Sequence, residues 1–437
     1  PLAEQGGGGE VPDAGVTHVC RYFLYTRVVP SLTARASASP PARSAGGWGG
    51  LERAHHRAHP RGGDRVRGLD ALAAALRVHD ELRRAVLGDA RAGDHLPAVF
   101  HNEVGVAHAL VVKPLHESFR KSRDAVSRFG GFEARRPEGG TPVIMQGKDR
   151  EEFADFYRYA TLHGTLFYEP AGQVKQARPH WVATAPVTYA GEAALKREIE
   201  LFRGAVSPDT EAFITSTAPA SLEPYRRNEC YKTQEEFIFA IAEAMRTEYQ
   251  TIIDAGFILQ VDDAWLPALW DRIGIAMGLD AFRKFCEVRI EALNHALRGL
   301  PEDRIRYHLC WGSWHGPHTH DLPFEHIIGL MLQVNAQCYS FEAANVRHEH
   351  EWRLWESNKL PDGKIILPGV VSHSTNLIEH PDLVADRILR FTRCVGRENV
   401  LAGTDCGLGG RVHTELAWAK LGALAEGARL ASKKLWP

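Results

Sequence analysis

The chain has 437 residues, a formal net charge of -2 and 24% charged residues. Its length suits one large α/β domain or two smaller ones, and the near-neutral balance gives no global attraction to nucleic acid or to a membrane surface. Seven cysteines, an odd number without framework spacing, argue against a disulfide scaffold and for a reducing compartment, the cytoplasm.

Residues 1–68 carry glycine runs at 6–9 and 46–50 and a Pro40-Pro41 pair. Without clean periodicity they are expected to form a low-complexity, disordered extension. Lysine is absent before Lys113, and the stretch 16–51 holds four arginines and no acidic residue. That composition is compatible with an organelle transit peptide or with non-native translated sequence. Nothing near the first residues reads as a secretory signal, and no apolar run reaches the ~18 residues of a membrane-spanning helix. Residues 69–87 read as an alanine- and arginine-rich helix.

From residue 153 the pattern becomes regular. The stretch 153–162 reads as helix, 180–187 as strand and 192–202 as helix. Six strand-helix units follow: 212–217 with 233–255, 257–261 with 279–297, 306–310 with 324–334, 337–341 with a helix near 348–356, 365–371 with 381–394, and 400–403 with 414–433. Short apolar strands alternating with helices predict parallel strands covered on both faces. With two poorly defined units upstream, residues 69–437 are expected to close an α/β (β/α)8 barrel of the TIM type, with reactive residues at the carboxyl ends of its strands.

Four metal-ligating residues fall at such ends: His308 and Cys310 in Y-H-L-C-W-G, Glu342 in Y-S-F-E-A-A-N, and Cys406 in G-T-D-C-G-L-G. Residues i and i+2 of a strand point to one face, so His308 and Cys310 aim at the same interior. Each of the four alone is compatible with an ordinary core position. Together they read as one mixed nitrogen, sulfur and oxygen site for Zn2+, which takes such ligands at roughly 2.0 to 2.3 Å. A thiol that displaced the carboxylate would be held in its nucleophilic thiolate form, which points to thiol alkylation.

These segments resemble the cobalamin-independent methionine synthase family in its short single-barrel branch. The likeness runs over 186–436 and is carried by Q-V-D-D ending at Asp263, H-L-C-W-G from His308, S-F-E-A-A-N from Ser340, P-G-V-V from Pro368 and T-D-C-G-L from Thr404. It implies a methyltransferase that moves a methyl group from 5-methyltetrahydrofolate to homocysteine, with small-molecule substrates only. It also implies His308, Cys310, Glu342 and Cys406 as zinc ligands and Asp262 as the partner of the substrate ammonium group. The family's G-S-x-P-R and D-G-E motifs have no counterpart, and Glu103 is the nearest candidate for the second. Trp311 and Trp314 are candidates to stack on a pterin ring or to anchor their loop. His373 is the candidate general acid for the departing folate nitrogen, with His380 as its alternative and a helix cap as the other reading of both. His315, His318 and His320 line a loop that could hold a second metal, line a pocket or face solvent. Cys338 reads as core, and Asp405 as a residue that orients a ligand. Two other functions share the same ligands: alkyl transfer to another thiol, as in coenzyme M alkyltransferases, and a non-catalytic zinc-binding barrel.

Overall fold

The computed structural model describes residues 25–27, 128–135, 146–166, 180–206 and 211–436. The expectations for 1–68 other than 25–27, the helix at 69–87, Cys20 and Glu103 all lie outside the described residues. Ten strands are described: β1 (Tyr25–Arg27), β2 (Phe129–Arg135), β3 (His180–Tyr189), β4 (Phe213–Thr217), β5 (Arg226–Asn228), β6 (Ile258–Asp263), β7 (Ile305–Leu309), β8 (Cys338–Phe341), β9 (Ile365–Val371) and β10 (Leu401–Thr404).

The six expected strands β4, β6, β7, β8, β9 and β10 are present and lie side by side in parallel in that order, while the helix expected near 348–356 is a 3-10 helix, Glu349–Glu356. This is the α/β architecture of a TIM-type barrel, with α1 (Gln234–Asp254), α2 (Leu279–Leu297) and α3 (Pro381–Val395) among its crossovers and α4 (Thr414–Leu435) after the last strand. Two upstream units were expected to complete eight-fold closure. Among the described residues they do not: β3 instead pairs antiparallel with β2 and parallel with the short β5 in a separate three-stranded sheet. β1 pairs antiparallel with β10 at the other end of the main sheet. The helix expected over 324–334 is reduced to a 3-10 turn, Phe324–His326, and a single helical turn, Ile328–Met331. Pro323 precedes it, and the Tyr339 hydroxyl donates to the Val334 carbonyl at 2.9 Å, where the turn ends. Among the described residues no helix is long and apolar enough to cross a membrane.

Strand alternation divides the core into two clusters. Val261, Tyr307, Leu309, Tyr339, Phe341 and Val370 face outward and pack with Ile241, Leu293 and Ile388 of the surrounding helices. Phe213, Ile258, Cys310, Cys338, Leu367, Leu401 and Cys406 pack together on the inner side. Each fully buried aliphatic side chain contributes roughly 1.5–3 kcal/mol, so the outer layer supplies most of the apolar stabilisation. The inner layer also contains charge. Arg306, on the parity of His308, donates to Gln260 at 3.1 Å and lies 4.5 Å from the Phe213 ring centroid.

The helices start with recognisable caps. Thr233 Oγ1 accepts from the Glu236 amide at the head of α1, and His380 Nδ1 accepts from the Asp382 amide at the head of α3, where Pro381 occupies the first turn. The loop between β9 and α3 is fastened by Lys420 of α4. Its fully buried ammonium donates to Leu377 O and to both oxygens of Glu379, at 2.9 and 3.1 Å, while Glu379 accepts from the Ser372 amide at 2.9 Å. Replacing Lys420 with Met leaves Glu379 buried without its charge partner, and the expected loss in urea unfolding is about 3–5 kcal/mol. A loss below about 1 kcal/mol, the range of an exposed pair, would show that the clamp does not hold the loop.

Candidate metal centre

Register brings the candidate ligands together. Asp262 of β6 pairs with His308 of β7, and His308 pairs with Ser340 of β8, so the three share one level of adjacent parallel strands. Cys310 and Glu342 lie one side-chain step beyond, on the same face. Cys406 follows β10, after a register irregularity at Gly403/Thr404. The Cys406 sulfur lies 2.9 Å from Cys310 Sγ, 3.6 Å from His308 Nε2 and 3.6 Å from Glu342 Oε1. His308, Cys310 and Cys406 are fully buried, and Glu342 is 5% exposed.

Each donor is held by its own neighbours. Ser340 Oγ lies 3.0 Å from His308 Nδ1, which leaves Nε2 directed at Cys406. The Gly312 amide donates to Cys310 Sγ at 3.2 Å, an interaction that favours thiolate. Glu342 accepts from the Trp311 amide at Oε1 (3.0 Å) and from Asn345 Nδ2 at Oε2 (2.7 Å). Asp405 Oδ1 accepts from the amides of Ala343 and Ala344, both at 2.7 Å, which fixes the turn just beyond Glu342. Its other oxygen, Oδ2, is buried without a hydrogen-bond partner. Burial, then the charge of Glu342, pushes the Asp405 carboxyl up to about 7, and burial raises Glu342 as well. One imidazole, two sulfurs and a carboxylate buried together, beside an orphaned carboxylate oxygen, form a donor set that fits a thiophilic divalent cation.

The other candidates divide. His373 is buried and offers a ring nitrogen within 4.8 Å of carboxylate oxygens of Glu342 and Asp405, so it stands at the centre. His380 is the exposed cap of α3, the helix-cap reading. Asp262 Oδ1 accepts from Gln260 Nε2 at 2.8 Å, while Asp263 points outward to Ser221 and Tyr307. Trp311 is fully buried, donates from Nε1 to Leu322 O and lies against His348 and Phe324, an arrangement that anchors its loop. Trp314 is similarly enclosed, stacked on His318 and donating to the Tyr157 hydroxyl. The loop histidines take separate partners: His318 meets Asp321, His320 meets Glu152, and His315 loses proton affinity through burial and the nearby Arg411 charge. Cys338 lies a level deeper near Arg306, and burial pushes its thiol up to about 11.

Ser340 and Asn345 escaped the sequence reading, although Ser340 shares the parity of Glu342 and could have been found that way. Gly369 also escaped it. A β-carbon there would lie 2.1 Å from Asp405 Oδ1 and 2.6 Å from Asp405 Cα, so only glycine lets the segment before Cys406 approach β9. Gly369→Ala should displace Asp405 and Cys406, lower the metal content of the purified protein and destabilise it by roughly 1–3 kcal/mol. Unchanged metal content and an unchanged thermal midpoint would contradict this packing role.

Comparison with protein-family models finds no match. Among curated proteins, methionine synthase from Saccharolobus islandicus (strain L.S.2.15 / Lassen #1) is 25% identical over 237 residues, 54% of this chain and 62% of the relative. The chain thus spans less than two thirds of that relative's length. Methionine synthase from Saccharolobus solfataricus is 24% identical over 305 residues, 68% of this chain and 81% of the relative. Methionine synthase from Sulfolobus acidocaldarius is 25% identical over 279 residues, 62% and 71% respectively. Among solved structures, a B12-independent methionine synthase from Shewanella sp. W3-18-1 in complex with selenomethionine superposes with a TM-score of 0.52 at 17% identity, covering 71% of this chain and 78% of that one. That likeness establishes the fold. In sequence the chain is similar, at 24–25% identity, to curated proteins named methionine synthase.

Proposed function

We propose that the chain is a zinc-dependent methyltransferase that moves a methyl group from 5-methyltetrahydrofolate, or its polyglutamate, to homocysteine, giving methionine. What supports this reading is a buried group of His308, Cys310 and Cys406, with Glu342, which also groups with His373 and Asp405, 3.6 Å from Cys406 Sγ. Relatives named methionine synthase support the same reaction.

Zinc, when bound, supplies one thing: it lowers the pKa of the substrate thiol so that sulfur attacks as thiolate. The chain's residues supply the rest. His308, Cys310, Cys406 and Glu342 would hold the zinc, Glu342 as the oxygen donor that would yield its place to the substrate sulfur. Asp262, one level below Cys310 on the inner face, receives the ammonium group of the amino acid and so selects it over simple thiols. Trp311 holds the loop beside the site through its buried ring. As the bond from sulfur to the methyl carbon forms and the bond from that carbon to the folate nitrogen breaks, His373 delivers a proton to the nitrogen. The buried setting excludes water from the transfer.

X-ray absorption at the zinc edge, recorded with and without homocysteine, tests the reading. One light ligand should be lost and one sulfur gained. Asp262→Ala should weaken homocysteine binding by about 1.5–3 kcal/mol, the worth of a charge-assisted hydrogen bond, and leave binding of a thiol without an amino group nearly unchanged. Equal losses for both thiols would remove the amino acid as substrate and favour another thiol acceptor. Full zinc occupancy with no sulfur gained from any thiol would point to a non-catalytic barrel.

A further inference from the structure

Beyond the four donors lies a second buried network that the proposed reaction does not use. His348 is 4% exposed, and its ring is held between two carboxylates: Nδ1 lies 2.7 Å from Glu351 Oε2, and Nε2 lies 3.2 Å from Asp321 Oδ2. Asp321 is in turn braced by His318 Nδ1 at 3.0 Å, and His318 Nε2 meets the Trp314 carbonyl at 3.0 Å.

One route leads from the His348 side chain to Glu342. Its ring lies on that of Trp311, with centroids 4.2 Å apart and planes inclined by 33°, and the Trp311 amide donates to Glu342 Oε1. The other oxygen is served by backbone geometry: the Arg347 and His348 amides donate to Asn345 Oδ1 at 2.9 and 3.1 Å, which orients the side-chain amide so that Nδ2 donates to Glu342 Oε2. Both carboxylate oxygens therefore have protein donors that do not depend on a metal.

We propose that the His348 side chain is a positioning residue for Glu342: by packing on Trp311 it maintains the Trp311 N–H donor which, with Asn345 Nδ2, receives the carboxylate when a substrate sulfur takes its place. The proposal rests on the thiol-transfer reading above. A carboxylate released among buried groups is costly unless hydrogen-bond partners are already in position. Burial disfavours the imidazolium, while the hydrogen bonds to Asp321 and Glu351 raise His348 to about 10. A purely structural role would require the two ion pairs but not the aligned donors on Glu342.

The test compares wild-type and His348→Gln proteins loaded with zinc. Homocysteine affinity is measured by calorimetry, ligand exchange by zinc-edge X-ray absorption, and folding by circular dichroism. The variant should keep its zinc and its thiol-free spectrum, while its homocysteine dissociation constant rises by about tenfold or more, equivalent to about 1.4 kcal/mol. An unchanged dissociation constant with a full gain of sulfur would overturn the proposal and leave the function reading intact. Wild-type protein that gains no sulfur would overturn both. Should His348→Gln not fold, His348→Asn is expected to show the same loss of affinity with zinc retained. Unaltered affinity in that variant would overturn the proposal.

Discussion

Lateral alignment of β6, β7 and β8 places Asp262, His308 and Ser340 at one level, and the rest of the centre is arranged around that alignment. A one-residue slip of β7 would turn His308 and Cys310 outward into the helix layer and bring Tyr307 and Leu309 inward. The outer cluster prevents this, because Tyr307, Leu309, Tyr339 and Phe341 are already packed among the helices. Apolar packing outside the sheet thus maintains the polar chemistry inside it, and the two faces of each strand carry separate tasks.

The centre is electrostatically expensive in the absence of a cation. Glu342 and Asp405 are buried side by side, burial raises both, and Asp405 keeps an oxygen without a hydrogen-bond partner. Stabilisation of this crowding comes from directed donors: the amides of Trp311, Ala343 and Ala344 and the side chain of Asn345. Gly369 lets the Asp405–Cys406 segment lie against β9, and Lys420 fastens the loop that carries His373. Steric, electrostatic and hydrogen-bonding constraints therefore converge on the same few strand ends, as expected where donors must be preorganised.

Much of this was legible in the chain. A strand covered on both faces must be a short apolar run, so 257–261, 306–310, 337–341 and 365–371 announced themselves, and the period of two put His308 beside Cys310. The pairing of β3 with β2 was not legible, because β2 carries Gly130 and Gly131 and bends where the register shifts between Gly130 and Phe132. Asp321 and His348 are 27 residues apart, and only the folded loops bring them within 3.2 Å. Asn345 acts through an amide orientation set by a neighbouring backbone group, which residue identity does not encode. Trp311 shows the opposite limit: an aromatic residue beside a metal motif suggests a stacking platform, yet its ring is consumed by contacts with His348, Phe324 and Leu322.

The central claim is that four strand-end residues share one zinc ion. Anomalous diffraction from crystals of the purified chain, measured on both sides of the zinc absorption edge, tests it most directly. The account predicts a single strong anomalous peak within about 2.4 Å of His308 Nε2, Cys310 Sγ and Cys406 Sγ, with Glu342 as the fourth ligand in the absence of thiol. A peak held by other residues, or zinc-loaded crystals with no peak among these side chains, would contradict it.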